Sequence, residues 1–124
     1  MKVSDALTAF NIAKRDAETL LLHCLGRTNR AWLFAHDTDD LAVEDLKQYS
    51  ALCRAREQGV PLAYVMGYRE FWSLELAVTP DVLIPRPETE HLVEWAIERV
   101  EAIAAASLLD LGTGSGAIAL ACKA

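Results

Sequence analysis

Cysteine is scarce in this chain. Cys24, Cys53 and Cys122 are odd in number and widely spaced, and no Cys-x-x-Cys pair occurs among them. Such a set frames no disulfide scaffold and offers no zinc site, so reduced thiols in a cytoplasm are expected, each packing as a small hydrophobe. His23, His36 and His91 have neither metal-ligand spacing nor a paired nucleophile. They are expected to face solvent or bond locally, and no metal enters the expected chemistry. No apolar run approaches the roughly 20 residues that a membrane-spanning helix requires. The opening Met1-Lys2-Val3-Ser4-Asp5 leads into an amphipathic stretch, so no signal peptide is expected. Positive charge is also in short supply: 12 Lys and Arg face 18 Asp and Glu, a net charge of −6. That balance argues against a sequence-independent grip on nucleic acid by this segment. Internal repeats and low-complexity tracts are lacking as well.

What is present concentrates at the end of the chain. Leu108, Leu109 and Leu111, interrupted by Asp110, read as a buried strand from 107 to 111, and Ala117 to Ala124 read as the start of a helix. Between them stand Gly112, Gly114 and Gly116, which tolerate positive φ and leave no Cβ in the way of a flat ligand. Strand, tight turn and helix form the opening unit of a nucleotide-type α/β fold, with ligand at the carboxyl end of the first strand. A Walker phosphate loop needs Gly-Lys-Ser/Thr, which does not occur. A dinucleotide turn is formally satisfied by Gly112, Gly114 and Ala117. The fuller match is Asp/Glu-x-Gly-x-Gly-x-Gly, met by Asp110, Gly112, Gly114 and Gly116, and it resembles the first motif of class I methyltransferases that bind S-adenosyl-L-methionine. A carboxylate just before the turn suits a ligand bearing an ammonium and would repel a pyrophosphate.

Upstream, the apolar period is helical. Ser4 is placed to cap a first helix through Phe10. Ala13, Ala17, Leu20, Leu21, Cys24 and Leu25 mark a second, stopped by Gly26. A short helical piece holds Trp32, Leu33 and Phe34. Another helix runs from Val43 through Leu46, Tyr49, Leu52 and Cys53 to Gly59, and Pro61 opens a fifth ending at Gly67. This is a small α-bundle. The period then switches to two at Phe71, Trp72, Leu74, Leu76 and Val78, a hairpin signature, and Val82 to Ile84 reads as a further short strand. Pro80, Pro85 and Pro87 punctuate the next loop, and Pro87 begins a helix to about Ala105 that buries Leu92, Val93, Ala96, Ile97, Val100 and Ile103. The expected organisation is a helical bundle over 1–67, a β-hairpin linker over 68–80 and the start of a Rossmann-like domain over 81–124.

The block Ile84-Pro-Arg-Pro-Glu-Thr-Glu90, with Gly67-Tyr-Arg-Glu-Phe-Trp72 before it and Asp110-Leu-Gly-Thr-Gly-Ser-Gly116 after it, resembles the HemK/PrmC family of peptide chain release factor glutamine methyltransferases. The glycine motif is common to many methyltransferases; the Pro-Arg-Pro-Glu-Thr-Glu block is far more specific. The resemblance covers the whole chain. It implies a helical substrate-recognition domain, a hairpin linker and a class I domain that uses S-adenosyl-L-methionine to methylate the glutamine side-chain amide in the Gly-Gly-Gln tip of a release factor. The implied partners are release factors, with no direct nucleic acid, membrane or metal. In that family an Asn-Pro-Pro-Tyr motif holds the amide, and no Asn-Pro dipeptide occurs here. Only eight residues follow Gly116, short of the roughly 20 needed to reach a ribose-binding acid. The chain therefore reads as the amino-terminal portion of a longer enzyme, inactive alone, with no catalytic residue of its own.

Within this reading Gly112, Thr113, Gly114, Ser115 and Gly116 are the cofactor residues. Asp110 either orients the methionine amine or braces the turn. Arg86, Glu88 and Thr89 either lie over the donor or, respectively, pair with a carboxylate and start the helix. Phe71 and Trp72 are expected in the hairpin core rather than as a lid. Arg54, Arg56 and Glu57 read as a solvated helix face, with docking to a release factor as the functional alternative. The rival functions are an N6-adenine nucleic-acid methyltransferase and a non-catalytic helical adaptor. An unpaired strand at 107–111 predicts fast amide exchange and self-association there.

Overall fold

The structure, a computed structural model, describes residues 1–124. The chain is mostly helical, with a single two-stranded antiparallel hairpin, and divides into two compact units, Met1–Met66 and Gly67–Ala124.

The first unit contains α1 (Val3–Ala6), α2 (Lys14–Leu25), α3 (Ala31–Ala35), α4 (Val43–Glu57) and α5 (Leu62–Met66). Its core gathers the residues that recur at helical spacing: Leu20, Leu21 and Leu22 of α2, Leu33 of α3, Tyr49 and Cys53 of α4, with Val3 closing the end. Burying each large apolar side chain contributes roughly 1.5–3 kcal/mol. Helix α2 stops where Gly26 adopts φ 67, and the N–H groups of Gly26 and Arg27 then bond the carbonyls of His23 and Leu22. This satisfies two orphan carbonyls at the helix end. Gly59 ends α4 in the same way, with Val60 N–H reaching the Ala55 carbonyl. Helix α1 is a single turn; Lys2 occupies its N-cap, and Ser4 lies inside the helix without capping it. Its place is fixed instead from both sides. Val3 N–H bonds Asp39, and the buried Tyr49 hydroxyl donates to the Ala6 carbonyl at 2.9 Å.

Two charged groups brace this unit from within. Glu18, on the inward face of α2, is only 4 % exposed, and one carboxylate oxygen accepts from both Nε and Nη2 of Arg30. The expected solvated cluster on α4 is in fact partly internal. Arg56 Nε donates to Asp16 at 3.1 Å and its Nη1 to the Val60 carbonyl, while Glu57 accepts from Asn11 N–H. These side chains are long enough to fold back across the helix ends, although Arg54 and Glu57 remain exposed.

Burial raises the Cys24 thiol from its ordinary 9.0 to about 11, with Cys53 and Asp45 adding like-charge repulsion. A raised folded value means that folding favours the neutral thiol. This contribution is complete below pH 9.0 and is lost as pH rises through about 11. At pH 8 Cys24 is therefore expected to react with iodoacetamide about a hundredfold more slowly than in urea-unfolded chain. Equal rates in the two states would show that the thiol is not held neutral by the fold.

The second unit contains β1 (Tyr68–Phe71), β2 (Leu74–Ala77), a 3-10 turn at Pro87–Thr89, α6 (Glu90–Glu101) and α7 (Ala117–Lys123). The strands pair Tyr68 with Ala77 and Phe71 with Leu74, which sends Phe71 and Leu76 inward against Val93 of α6 and Ala117 and Ala121 of α7. The connecting residues Trp72 and Ser73 both have positive φ, 52 and 59, the type I′ geometry that matches strand twist but normally uses Asn or Gly. Ser73→Gly is expected to stabilise this unit by about 0.5–1 kcal/mol by removing the Cβ from a left-handed position. A urea melt followed by tryptophan fluorescence reads it; a lower midpoint would mean the turn is unstrained.

Three expectations fail in this unit. Residues 107–111 form no strand, and Leu109 and Leu111 are 82 % and 83 % exposed. A strand exists only against a ladder partner, and 107–111 pairs with neither β1 nor β2. Val82 to Ile84 is likewise not a strand, for the same reason. Helix α6 ends at Glu101, short of Ala105, and buries Val93 and Ala96 while Leu92 and Ile103 stay exposed. No helix is long and apolar enough to cross a membrane.

Candidate functional site

The glycine turn and the proline block meet across a cleft of about 190 Å³. One wall is Leu83, Ile84, Pro85, Arg86 and Thr89; the other is Gly112, Thr113, Gly114 and Ser115, continued by Ala117 and Ile118. Each wall has a local cause. Pro87 sits at the first position of the 3-10 turn with Arg86 extended before it at φ −93, and Thr89 N–H closes on the Arg86 carbonyl at 3.0 Å. Proline fixes its own φ and disfavours a helical Arg86, so the chain leaves the loop at one defined residue.

On the other wall Gly112, Gly114 and Gly116 have φ 65, 57 and 83. A Cβ built on Gly112 or Gly114 would meet nothing within 4 Å, whereas one on Gly116 would touch Leu120 at 3.4 Å. Nothing in the chain fills the space before the first two glycines, so a flat group has room to lie against the bare backbone there. Gly116 acts differently. It closes the turn, its N–H bonding the Thr113 carbonyl at 2.9 Å, and starts α7.

Asp110 does not line the cleft; its carboxylate accepts the Thr113 hydroxyl at 3.0 Å. In this arrangement it braces the turn, and its second oxygen keeps acceptor capacity for a donor group. Glu88 is exposed and does not line the cleft, leaving Arg86 and Thr89 as the polar residues of the proline block that reach it. Six of the nine sequence-predicted residues thus share one cavity: Arg86, Thr89, Gly112, Thr113, Gly114 and Ser115. The apolar residues Leu83, Ile84, Ala117 and Ile118 were not among the candidates. Leu83 and Ile84 were signalled by the apolar Val82 to Ile84 run, whose pattern suggests a strand, and Ala117 and Ile118 by the helix start after Gly116. Phe71 is buried in the hairpin core and Trp72 packs partly against it, so neither lines the cleft. The histidines form no metal cluster with any Cys, Asp or Glu.

The lining combines apolar side chains, bare peptide, the hydroxyls of Thr89, Thr113 and Ser115 and one cation, Arg86, with the Asp110 carboxylate behind Thr113. The volume lies below the roughly 300–1,000 Å³ of pockets that enclose a whole drug-sized ligand.

Comparison with known proteins agrees with the sequence reading. The PrmC N-terminal domain family matches residues 2–67. Release factor glutamine methyltransferase of Coxiella burnetii is 48 % identical over 119 residues, 96 % of this chain and 43 % of that protein. The proteins of the same name from Escherichia coli and Shewanella oneidensis are 49 % and 50 % identical over 93 % and 88 % of the chain, covering 41 % and 37 % of their own lengths. The chain therefore spans about two fifths of the curated relatives it matches.

Proposed function

We propose, from the premise that this chain belongs to the PrmC N-terminal domain family, that it serves an S-adenosyl-L-methionine-dependent methylation of a glutamine side-chain amide in a peptide chain release factor. The observation that carries the reading is the meeting of Arg86 and Thr89 with the Gly112-to-Ser115 turn at one cleft, within a sequence about half identical to release factor glutamine methyltransferases.

The donor supplies an electrophilic methyl group on a sulfonium. Gly112 and Gly114 would give its flat part an unobstructed backbone, and the Thr113 and Ser115 hydroxyls lie beside them. Asp110, held by Thr113, would offer its remaining oxygen to the donor's ammonium. Leu83, Ile84 and Ile118 would exclude water from the apolar side. Arg86 and Thr89 would close over the top. An amide nitrogen is a weak nucleophile because its lone pair is delocalised, so rate would come from alignment and from acceptors aimed at the amide hydrogens. In this reading those acceptors lie outside these 124 residues, which contain no Asn-Pro pair. Residues 1–67 would contribute to recognition of the release factor, 68–80 link, and 81–124 open a Rossmann-like domain.

Labelled methyl transfer to a release factor tests this, assayed for the 124-residue chain and for a chain extended to the relatives' length. Transfer by the extended chain alone is the expected result. Activity in neither would remove the enzyme reading, and labelling of DNA instead of the release factor would favour an adenine methyltransferase.

A further inference from the structure

Glu90 lies outside the cleft, yet it links the hairpin turn to the end of one of the cleft's walls. Its backbone begins α6 directly after Thr89, which lines the cavity. Its side chain turns the other way and accepts the backbone N–H of Trp72 at 2.8 Å, a bond spanning 18 residues of sequence. Trp72 is the first of two non-glycine residues held at positive φ in the hairpin turn. In a two-residue turn of this type that N–H has no partner in the strand ladder. The carboxylate therefore supplies a bond that nothing else in the hairpin makes. A bond to a charged acceptor is also stronger than one to a neutral group.

We propose that Glu90 is a positioning residue for the cleft: its carboxylate clamps the strained Trp72-Ser73 turn to the first turn of α6 and so fixes where Arg86 and Thr89 stand relative to the glycine turn. The inference rests on the reading of that cleft as the donor site. Its physical logic is independent of the ligand. The hairpin is anchored in the core through Phe71 and Leu76, beside Val93 of α6. Val93 holds the helix one turn further along, but it does not fix the rotation of the helix start. The Glu90 bond adds a further point of attachment at that start, where the backbone passes from the extended Arg86 into the 3-10 turn. The bond ties the start of the helix itself, about one turn ahead of Val93 and two ahead of Ile97. Glu88 and Glu94, on the same segment, are exposed and make no such link to the hairpin.

The test is made on the isotope-labelled 124-residue chain without ligand, using amide exchange and amide chemical shifts. Glu90→Ala is expected to speed Trp72 N–H exchange about tenfold, the effect of losing a charge-assisted bond, and to displace the amide resonances of Arg86, Thr89, Thr113 and Ser115. Glu90→Gln keeps an acceptor oxygen and should leave both readouts near wild type. The double variant Ser73→Gly/Glu90→Ala removes the strain together with the clamp. It should regain protection at the ladder amides of Phe71 and Leu74, with Trp72 exchange still fast, while the cleft resonances stay displaced. Unchanged Trp72 exchange in Glu90→Ala would overturn the proposal, as would cleft resonances that return with the turn in the double variant. Should Glu90→Ala fail to fold, the double variant gives the same two outcomes, read against Glu90→Gln: Trp72 exchange no faster than in Glu90→Gln, or cleft resonances at their wild-type positions, would overturn the proposal. Titration with S-adenosyl-L-methionine is the separate arm. Where wild type binds, both Ala-bearing variants should bind about tenfold more weakly and Glu90→Gln normally. Absence of any shift at Gly112 to Ser115 in wild type sinks the donor reading and leaves the ligand-free result standing.

Discussion

Arg30→Ala is expected to lower the stability of the helical unit by about 3 kcal/mol in urea unfolding, and Glu18→Gln by less than half as much. The asymmetry follows from burial. Glu18 is 4 % exposed, so removing Arg30 strands a carboxylate where water cannot reach it. The Arg30 side chain is 46 % exposed and can rehydrate when its partner changes. The glutamine oxygen can also still accept from Arg30, so that variant loses charge assistance but keeps a bond. Equal costs for the two variants would mean that the pair behaves as a surface ion pair, worth under about 1 kcal/mol. A larger cost for Glu18→Gln than for Arg30→Ala would mean that the carboxylate's charge matters for something other than Arg30.

Gly114→Val is expected to weaken S-adenosyl-L-methionine binding about a hundredfold in a chain extended to the relatives' length, equivalent to about 2.7 kcal/mol. Two effects combine. A β-branched residue is a steric outlier at positive φ, and Gly114 stands at 57. Its branches would also enter the open space that no protein atom fills within 4 Å. The comparison that separates strain from obstruction is Gly26→Ala. Gly26 has φ 67 and an equally open Cβ position, but it ends α2 in the other unit. Both variants should lose about 1–2 kcal/mol of local stability, and only Gly114→Val should lose the donor. Loss of binding in both would assign the effect to stability alone.

The helices were legible where two signals agreed. In α2 and α4 the apolar period and the terminal glycines pointed to the same ends, and Gly26 and Gly59 do terminate them. The hairpin was legible because Leu74, Leu76 and Val78 alternate with polar or small residues. Its turn was not: Trp72 and Ser73 carry none of the Asn or Gly chemistry that marks positive φ, and what compensates is a glutamate 18 positions away. The same limit explains 107–111. An apolar run announces a need for burial but cannot name its partner, and the leucines stay exposed. Ser4 misled because its residue type favours a cap while Val3 and Ser4 are held by backbone bonds to Asp39 and Asp37. At the site, motif spacing located the turn and the proline block, but only the packed chain could show that Glu88 stays out of the lining while Leu83 and Ile118 join.

The two walls of the cleft also arrive at different times in the life of the molecule. A ribosome delivers Pro85, Arg86 and Thr89 well before Gly112 to Ile118, and domains assemble from the amino terminus as they emerge. Until Ala117 and Ala121 follow, Val93 lacks part of the packing it has in the finished unit. The nascent chain therefore carries a finished helical bundle while the cleft has only one side, so ligand cannot be held there before the last turns of this segment have left the tunnel.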